Sequence, residues 1–241
     1  MVTIPKPAQV KKAIVYPSSD GEPLAETPVH VDAIIQAVVA LHQYLAGQQA
    51  IVLADQFFYY AKGFPKLRVA PDVMVIENVA PGPRDNYKTW EEGSVPSVIF
   101  EMTSKATQKQ DQEDKKTLYE QLEVPEYWLF DPKGEWIPEQ LQGYQLEGDR
   151  YVPITNNLSA ALGLRLQIEG SLIEFYRQDT GAKLLAPTEL VEALRAETTA
   201  RQDAEERAAQ AEERATQAEA RAEALAARLR ELGIDPDEVE N

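Results

Sequence analysis

The sequence contains no cysteine. Disulfides, thiolate zinc sites and a cysteine nucleophile are thereby excluded, and a reducing compartment fits. Histidine is scarce, with two in 241 residues, too few for a histidine-rich metal site. No apolar run approaches the ~20 residues that cross a bilayer as a helix. Gln36 and His42 interrupt the best candidate. The opening residues, Met1 to Lys6, are not followed by an apolar stretch of signal-peptide type. The expectation from these absences is a soluble, cytoplasmic protein with no membrane partner.

Positive charge is also in short supply. There are 24 basic and 40 acidic side chains, for a net charge of −16. Residues 186–241 hold 15 acidic and 7 basic side chains, and the rest of the chain holds 25 and 17. Proteins that grip nucleic acid by its backbone usually carry a basic footprint. Contact with DNA here must therefore rely on a local basic patch, on metal ions or on partner subunits.

Hydrophobic residues make up 44% of the chain, enough for one compact domain plus an appendage. Residues 1–28 are rich in Pro, Ser and Asp and read as an irregular arm. From Val31, apolar residues at Ile34, Ile35, Val38, Val39, Leu41 and Leu45 recur at helical spacing, and Gly47 is a natural stop. Residues 50–60 are β-rich, and Gly63-Phe64-Pro65 breaks the pattern. A strand is predicted at 73–76, a loop at 79–94 and a short apolar strand at 97–101. A helix is predicted over 107–122 and a strand over 126–130, closed by Asp131-Pro132. Two hairpins follow, turning at Glu147-Gly148-Asp149 and Glu169-Gly170, and suggest an antiparallel annex over about 137–185.

Three residues stand out. Asp72 opens one strand, Glu101 ends the next, and Lys115 lies on the helix after that. Carboxylates at the ends of adjacent strands can converge on one hard cation through oxygen ligands. Mg²⁺ suits phosphodiester hydrolysis, because it activates water and neutralises phosphate charge. A nearby lysine can orient the attacking hydroxide and stabilise the extra charge. Helical spacing puts Lys115 on one stripe with Leu118, Tyr119 and Leu122, while Lys116 shares the polar face with Glu120 and Glu123. A lysine on an apolar stripe needs a reason, although Asp111, four residues earlier, could simply pair with it. His30 reads as a helix-start residue and Asp55 as structural. Trp90, Trp128 and Trp136 read as packing residues.

Residues 20–185 resemble a large bacterial family of restriction endonucleases in the PD-(D/E)XK superfamily. The matching text is Val69-Ala70-Pro71-Asp72-Val73, then Val98-Ile99-Phe100-Glu101-Met102-Thr103-Ser104. Asp111 with Lys115 and Tyr119 follows, and then Val124-Pro125-Glu126-Tyr127-Trp128-Leu129-Phe130-Asp131-Pro132. The resemblance implies a mixed α/β (α+β) fold with the superfamily's αβββαβ core, here followed by the β-rich annex and a long C-terminal helix. It implies a Mg²⁺- or Mn²⁺-dependent endonuclease acting on DNA, most simply double-stranded, with Asp72 and Glu101 as metal ligands. The superfamily pattern puts a lysine two residues after Glu101, where this chain has Thr103. In the family that lysine has moved to the following helix, which makes it Lys115; Lys105 and Lys109 are the substitutes. Related folds also place a glutamate near the first helix as a further ligand, which would be Glu26. The alternative is a non-catalytic module that keeps the fold and binds nucleic acid or protein.

The tail is a repeat. Residues 204–210 read AEERAAQ, 211–217 read AEERATQ and 218–224 read AEARAEA. A period of seven implies a left-handed coiled coil with Ala204, Ala208, Ala211, Ala215, Ala218, Ala222, Leu225 and Leu229 along its seam. Glu197 and Arg201 interrupt the seam upstream, below Leu190 and Leu194. The expectation is a homo-oligomer, most simply a dimer, formed through residues 190–230. The competing reading is a solitary helix held by local Glu–Arg pairs. The expected organisation is an arm over 1–28, a nuclease domain over 29–185, a coiled-coil helix over 188–232 and an acidic tail over 233–241.

Overall fold

The computed structural model describes residues 14–21, 27–104 and 107–233. The chain divides into two units, Met1–Pro187 and Thr188–Asn241.

The first helix, α1 (Pro28–Tyr44), begins where the sequence offers a cap. The Thr27 hydroxyl accepts the His30 N–H, and Pro28 takes the first helical turn, where no N–H is needed. Ala33, Ile34, Ala37, Ala40 and Leu41 form its buried stripe. Gly47 then turns the chain at φ +82°, a conformation suited to glycine.

The strands that follow are β1 (Ala50–Leu53), β2 (Phe58–Tyr59), β3 (Arg68–Val69), β4 (Val73–Glu77) and β5 (Tyr87–Lys88). A single turn, α2 (Thr89–Glu92), leads to β6 (Val98–Met102). The chain then forms a π-helix (Gln110–Lys115) that continues as α3 (Lys116–Gln121) and enters β7 (Glu126–Phe130). Five strands complete the unit: β8 (Leu141–Glu147), β9 (Arg150–Ile154), β10 (Leu158–Ser159), β11 (Leu164–Glu169) and β12 (Leu172–Arg177).

Six strands form the central sheet in the order β1-β4-β6-β7-β8-β9. Within it, β6 and β7 are parallel and the other neighbours antiparallel. The parallel pair needs a crossover, which the π-helix and α3 supply. Helix α1, then β1, β4 and β6, then the crossover helix and β7 are the expected αβββαβ core.

Side chains alternate across the sheet. Val73, Val75, Val98, Phe100, Trp128 and Phe130 face α1 and the β10-β11-β12 sheet. Met74, Ile76, Ile99, Tyr127 and Leu129 face the opposite way, toward Tyr119 of α3. Glu101 takes a place on that second face where the alternation calls for an apolar side chain.

The structure departs from the sequence reading in four places. The β-rich stretch 50–60 splits into β1 and β2 at Asp55, whose φ of +50° no strand residue adopts. The loop expected over 79–94 contains β5 and α2; β5 is too short to show a period, and it pairs with β2 in a small sheet of order β3-β2-β5. The helix expected over 107–122 has a π-helical first part. Of the antiparallel annex expected over 137–185, the first hairpin extends the central sheet beside β7, and the remaining strands make a sheet of their own. Alternation marks a strand but not its sheet, so the hairpin's allegiance was not readable.

In the second unit, helix α4 runs from Pro187 to Glu231 with no buried residue. Among the described residues no helix is long and apolar enough to cross a membrane.

Candidate active site

Strand register brings the two carboxylates together. Val73 lies opposite Phe100, so the next step of the antiparallel ladder sets Asp72 across from Glu101. The Asp72 carboxylate accepts the Met102 N–H at 2.6 Å. The Asp72 N–H in turn lies 3.5 Å from Glu101 Oε2. Like charges opposite one another are unfavourable, and a nearby cation offsets that repulsion.

Lys115 is that cation. Its ammonium lies 2.8 Å from Glu101 Oε2 and 3.0 Å from Asp111 Oδ1. The Asp111 contact is an ion pair by distance without hydrogen-bond alignment. Tyr119 completes the cage by donating its hydroxyl to Glu101 Oε1 at 2.7 Å. Tyr127, from β7, donates to the Asp111 carbonyl at 2.8 Å.

The π-helix explains why Asp111, Lys115 and Tyr119 line up on one side of the helix, where Lys115 and Tyr119 reach Glu101 and Asp111 reaches Lys115. On an α-helix each four-residue step overshoots a full turn by about 40°. Two such steps would swing Asp111 well away from Tyr119. The wider i→i+5 turn advances less per residue and cancels that drift. The register changes from π to α at Lys115, the middle residue of the three.

Burial sets the electrostatics. Glu101 is fully buried and Asp111 is 1% exposed. Burial pushes the Glu101 carboxyl up to about 8 against the lowering influence of Lys115, with Asp72 and Asp111 adding to the rise. Burial alone would lower the Lys115 ammonium, but Glu101, Asp111 and Asp72 outweigh it and hold it above the ordinary lysine range. The Tyr119 hydroxyl is pushed far up by burial and by Glu101, so it stays a donor. Asp72, with its side chain 17% exposed, is the opening of the group toward solvent.

Thus Asp72, Glu101 and Lys115 come together. Glu26 and Lys105 lie outside the described residues. Lys109 is exposed and touches Glu101 nowhere among the described residues. Lys116, expected on the solvent face, instead lies 3.8 Å over the Tyr144 ring and is half-buried; the neighbouring β8 reaches across to cover it. Thr103, at the superfamily's lysine position, is 3% exposed, and its hydroxyl has no hydrogen-bond partner among the described residues.

Sequence reasoning missed two contributors. Tyr119 stands in the sequence as a residue of the apolar stripe and of the resembling block, without a role of its own, yet it bonds Glu101; its spacing of four from Lys115 is the available signal. His30 looks like a helix-start residue in the sequence, yet it is buried with Nε2 3.6 Å from Asp72 Oδ2. Nothing in its neighbourhood in the sequence points to Asp72. Elsewhere the polar residues at the two ends of β7 have structural partners. Glu126 accepts from Ser159, Trp128 and the Ala161 N–H. Asp131 caps the turn by accepting from Lys133, Trp136 and Ile137.

The family profile described as "Uma2: Putative restriction endonuclease" matches residues 8–172. The chain belongs to that family. Both Asp72 and Glu101, and the crossover helix with Lys115, fall inside the matched Uma2 region, whereas α4 falls outside it. No curated protein matches. Among solved structures, the chain is similar to a "putative nuclease belonging to DUF820" from Anabaena variabilis ATCC 29413, at 15% identity and a TM-score of 0.36. That likeness covers 59% of this chain and 77% of the other.

A divalent metal fits the residues present. The pair Asp72 and Glu101 offers carboxylate oxygens, the donors that Mg²⁺ and Mn²⁺ prefer. Among the described residues no third His, Asp or Glu joins them in a ligating cluster. Two carboxylates with the remaining positions left to water and phosphate is the usual Mg²⁺ arrangement. A groove of about 700 Å³ beside β1, lined by Leu45, Ile51, Leu53 and Pro83, has no carboxylate in its walls and belongs to no such site.

Proposed function

We propose that this Uma2 chain is a nuclease that hydrolyses DNA phosphodiester bonds with a divalent metal held by Asp72 and Glu101. The observation that carries the reading is the Lys115–Glu101 contact. It puts a cation beside the carboxylate pair, although the superfamily's own lysine position holds Thr103. The metal, when bound, supplies an activated water and neutralises phosphate charge.

The chain's own residues have separate tasks. Lys115 holds the Glu101 carboxylate, orients the attacking water and stabilises negative charge that grows on the phosphate in an in-line displacement. Tyr119 fixes the other Glu101 oxygen, so the carboxylate cannot rotate away. Asp111 keeps Lys115 charged and aimed. The Met102 N–H fixes Asp72 through one oxygen, and among the described residues no donor reaches the other. Intact placement of these groups favours catalysis over the reading of a decayed, binding-only module.

DNA as the substrate must be reconciled with the net charge. Residues 56–71 contain no acidic residue and carry Lys62, Lys66 and Arg68. Lys62 and Lys66 are exposed, as are Phe64 at 63% and Leu67 at 44%. This basic, apolar-tipped loop runs through β3 straight into Asp72. It is a local footprint of the kind an acidic nuclease needs. Self-association through residues 190–230 belongs to the same proposal and would bring two sites to one duplex.

The test is incubation of the purified protein with supercoiled plasmid and Mg²⁺ or Mn²⁺ at low salt, beside folded Asp72→Ala and Glu101→Ala variants. Metal-dependent nicking that both variants lose is the expected result. Equal nicking by the variants would overturn the assignment of the site.

A further inference from the structure

Helix α4 presents a seam, Ala204 through Leu229, flanked by charges of one sign on each side. One flank reads Glu205, Glu212 and Glu219, and the other reads Arg207, Arg214, Arg221 and Arg228. All these residues are exposed. In a heptad lettering that sets Ala204 at d, the glutamates are at e and the arginines at g, the positions that choose a coiled-coil partner and its direction.

Those charges are not spaced to serve a solitary helix. Intrahelical pairs form at separations of three or four. Arg214 and Arg221 have no acidic residue at either separation, and Glu212 has no basic one. Arg207 spends its Nε on the Asp203 carbonyl at 3.0 Å. An intrahelical ion pair does occur upstream, between Arg201 and Glu205 at 3.5 Å. The repeat region proper therefore carries Arg214, Arg221 and Glu212 with no opposite charge at intrahelical spacing, which leaves them open to a second helix.

We infer that α4 pairs with α4 of a second copy in a parallel, in-register coiled coil. This rests on the self-association proposed above and adds its direction. In the parallel arrangement each g residue meets the e residue of the next heptad across the seam. Arg207 then faces the Glu212 position of the other copy, and Arg214 faces the Glu219 position, each twice by symmetry. The antiparallel arrangement places g against g and e against e. Arg207 would face the Arg214 position, and Glu205 the Glu212 position, so both of these charged contacts would join like charges. The apolar layers do not decide the direction, because leucines stand at both ends of the seam: Leu190 and Leu194 at one, Leu225, Leu229 and Leu232 at the other. The charges do. The interrupting residues Glu197 and Arg201 occupy adjacent seam layers with opposite signs, so in parallel register each lies within a turn of its opposite on the other helix. With alanine seams burying little, direction and affinity both depend on the flanks. Parallel pairing also makes both chains enter the coil from the same end, at Pro187.

The absence of cysteine gives a clean background for the test in the full chain. Sedimentation equilibrium at tens of micromolar should give the mass of two chains; a monomer would overturn the self-association itself, whatever the plasmid assay shows. Glu212→Arg then reads direction. In the parallel coil it turns two Arg–Glu contacts into Arg–Arg contacts, and the dimer should dissociate about tenfold more readily at low salt. In the antiparallel coil the same change would create Arg–Glu contacts and tighten the dimer, which would overturn the inference. Spin labels on Ala227→Cys give an independent reading. A parallel dimer holds the two labels within a few helix diameters, whereas an antiparallel dimer in the register that sets Arg207 against the Arg214 position separates them by roughly 50 Å at 1.5 Å per residue.

Discussion

Lys115 reaches Glu101 from the crossover helix, Nζ to Oε2 at 2.8 Å, and so supplies a cation that the strand itself lacks at Thr103. The contact joins the two elements on either side of the site, β6 and the π-helix. It is both a structural tie and the group on which the proposed chemistry depends.

Replacing that ammonium should therefore cost stability and activity together. Lys115→Met leaves Glu101 and Asp111 buried without a counter-charge. Breaking one partner out of a buried pair costs about 3–5 kcal/mol, and protonation of Glu101 should bring the loss toward the lower end. Nicking should fall by about 10²–10³, the effect of removing one positioned charge from a developing oxyanion. Urea unfolding and plasmid nicking at a temperature where the variant stays folded measure the two. Nicking at the wild-type rate would remove Lys115 from the chemistry.

The raised Glu101 carboxyl fixes a pH dependence. Its folded value, about 8, lies above the 4.5 of an ordinary glutamate. A group raised on folding contributes stability that is complete below its unfolded value and is lost as pH rises through the folded one. Metal-free protein should thus lose stability between about pH 4.5 and 8, and Glu101→Gln should flatten that slope. Metal binding runs the other way, because the ligand must be ionised. Mn²⁺ affinity should climb from pH 6 to 8.5, with proton release that calorimetry in buffers of different ionisation enthalpy detects. A pH-independent affinity would place the metal elsewhere.

Much of the core was readable because it obeys periods. Helix α1 has its cap, its stripe and its stop, and β4, β6 and β7 have the short apolar runs that central strands need. Asp72 and Glu101 were readable as the polar ends of those runs. What was hidden depends on features without a period. The π-turn at Gln110–Lys115 has no distinct composition, and its consequence, the alignment of Asp111, Lys115 and Tyr119, follows only from the widened turn. His30 meets Asp72 through the packing of α1 on the sheet, a contact between residues 42 positions apart. The β8–β9 hairpin was visible as a hairpin, but its docking beside β7 also needs one small residue at a close approach.

That residue is Gly143, opposite Trp128 in the β7–β8 ladder. A Cβ there would lie 2.4 Å from the Trp128 ring. The ring is fully buried and cannot retreat. Gly143→Ala should destabilise the first unit by about 1–3 kcal/mol, the usual cost of overpacking. Thermal unfolding measures the loss, and the near-ultraviolet signal of Trp128 should change with it. Unaltered stability would mean that β8 can slide off the indole without penalty.

The loop before Asp72 makes the remaining prediction, and it addresses how an acidic protein holds a polyanion. If Lys62 and Lys66 each neutralise a phosphate, their contribution is counterion release, which appears as a slope of affinity against salt. Lys62→Ala/Lys66→Ala should reduce that slope by about 1.8, at roughly 0.9 per phosphate contact. The measurement is duplex binding across a salt series with Ca²⁺ in place of Mg²⁺, so that bound DNA stays intact. Nicking at saturating DNA should change little, because neither lysine is placed at the carboxylates. An unchanged slope would move the footprint away from residues 56–71. The site would then have to draw DNA through the metal and Lys115 alone, against the repulsion of a chain with net charge −16.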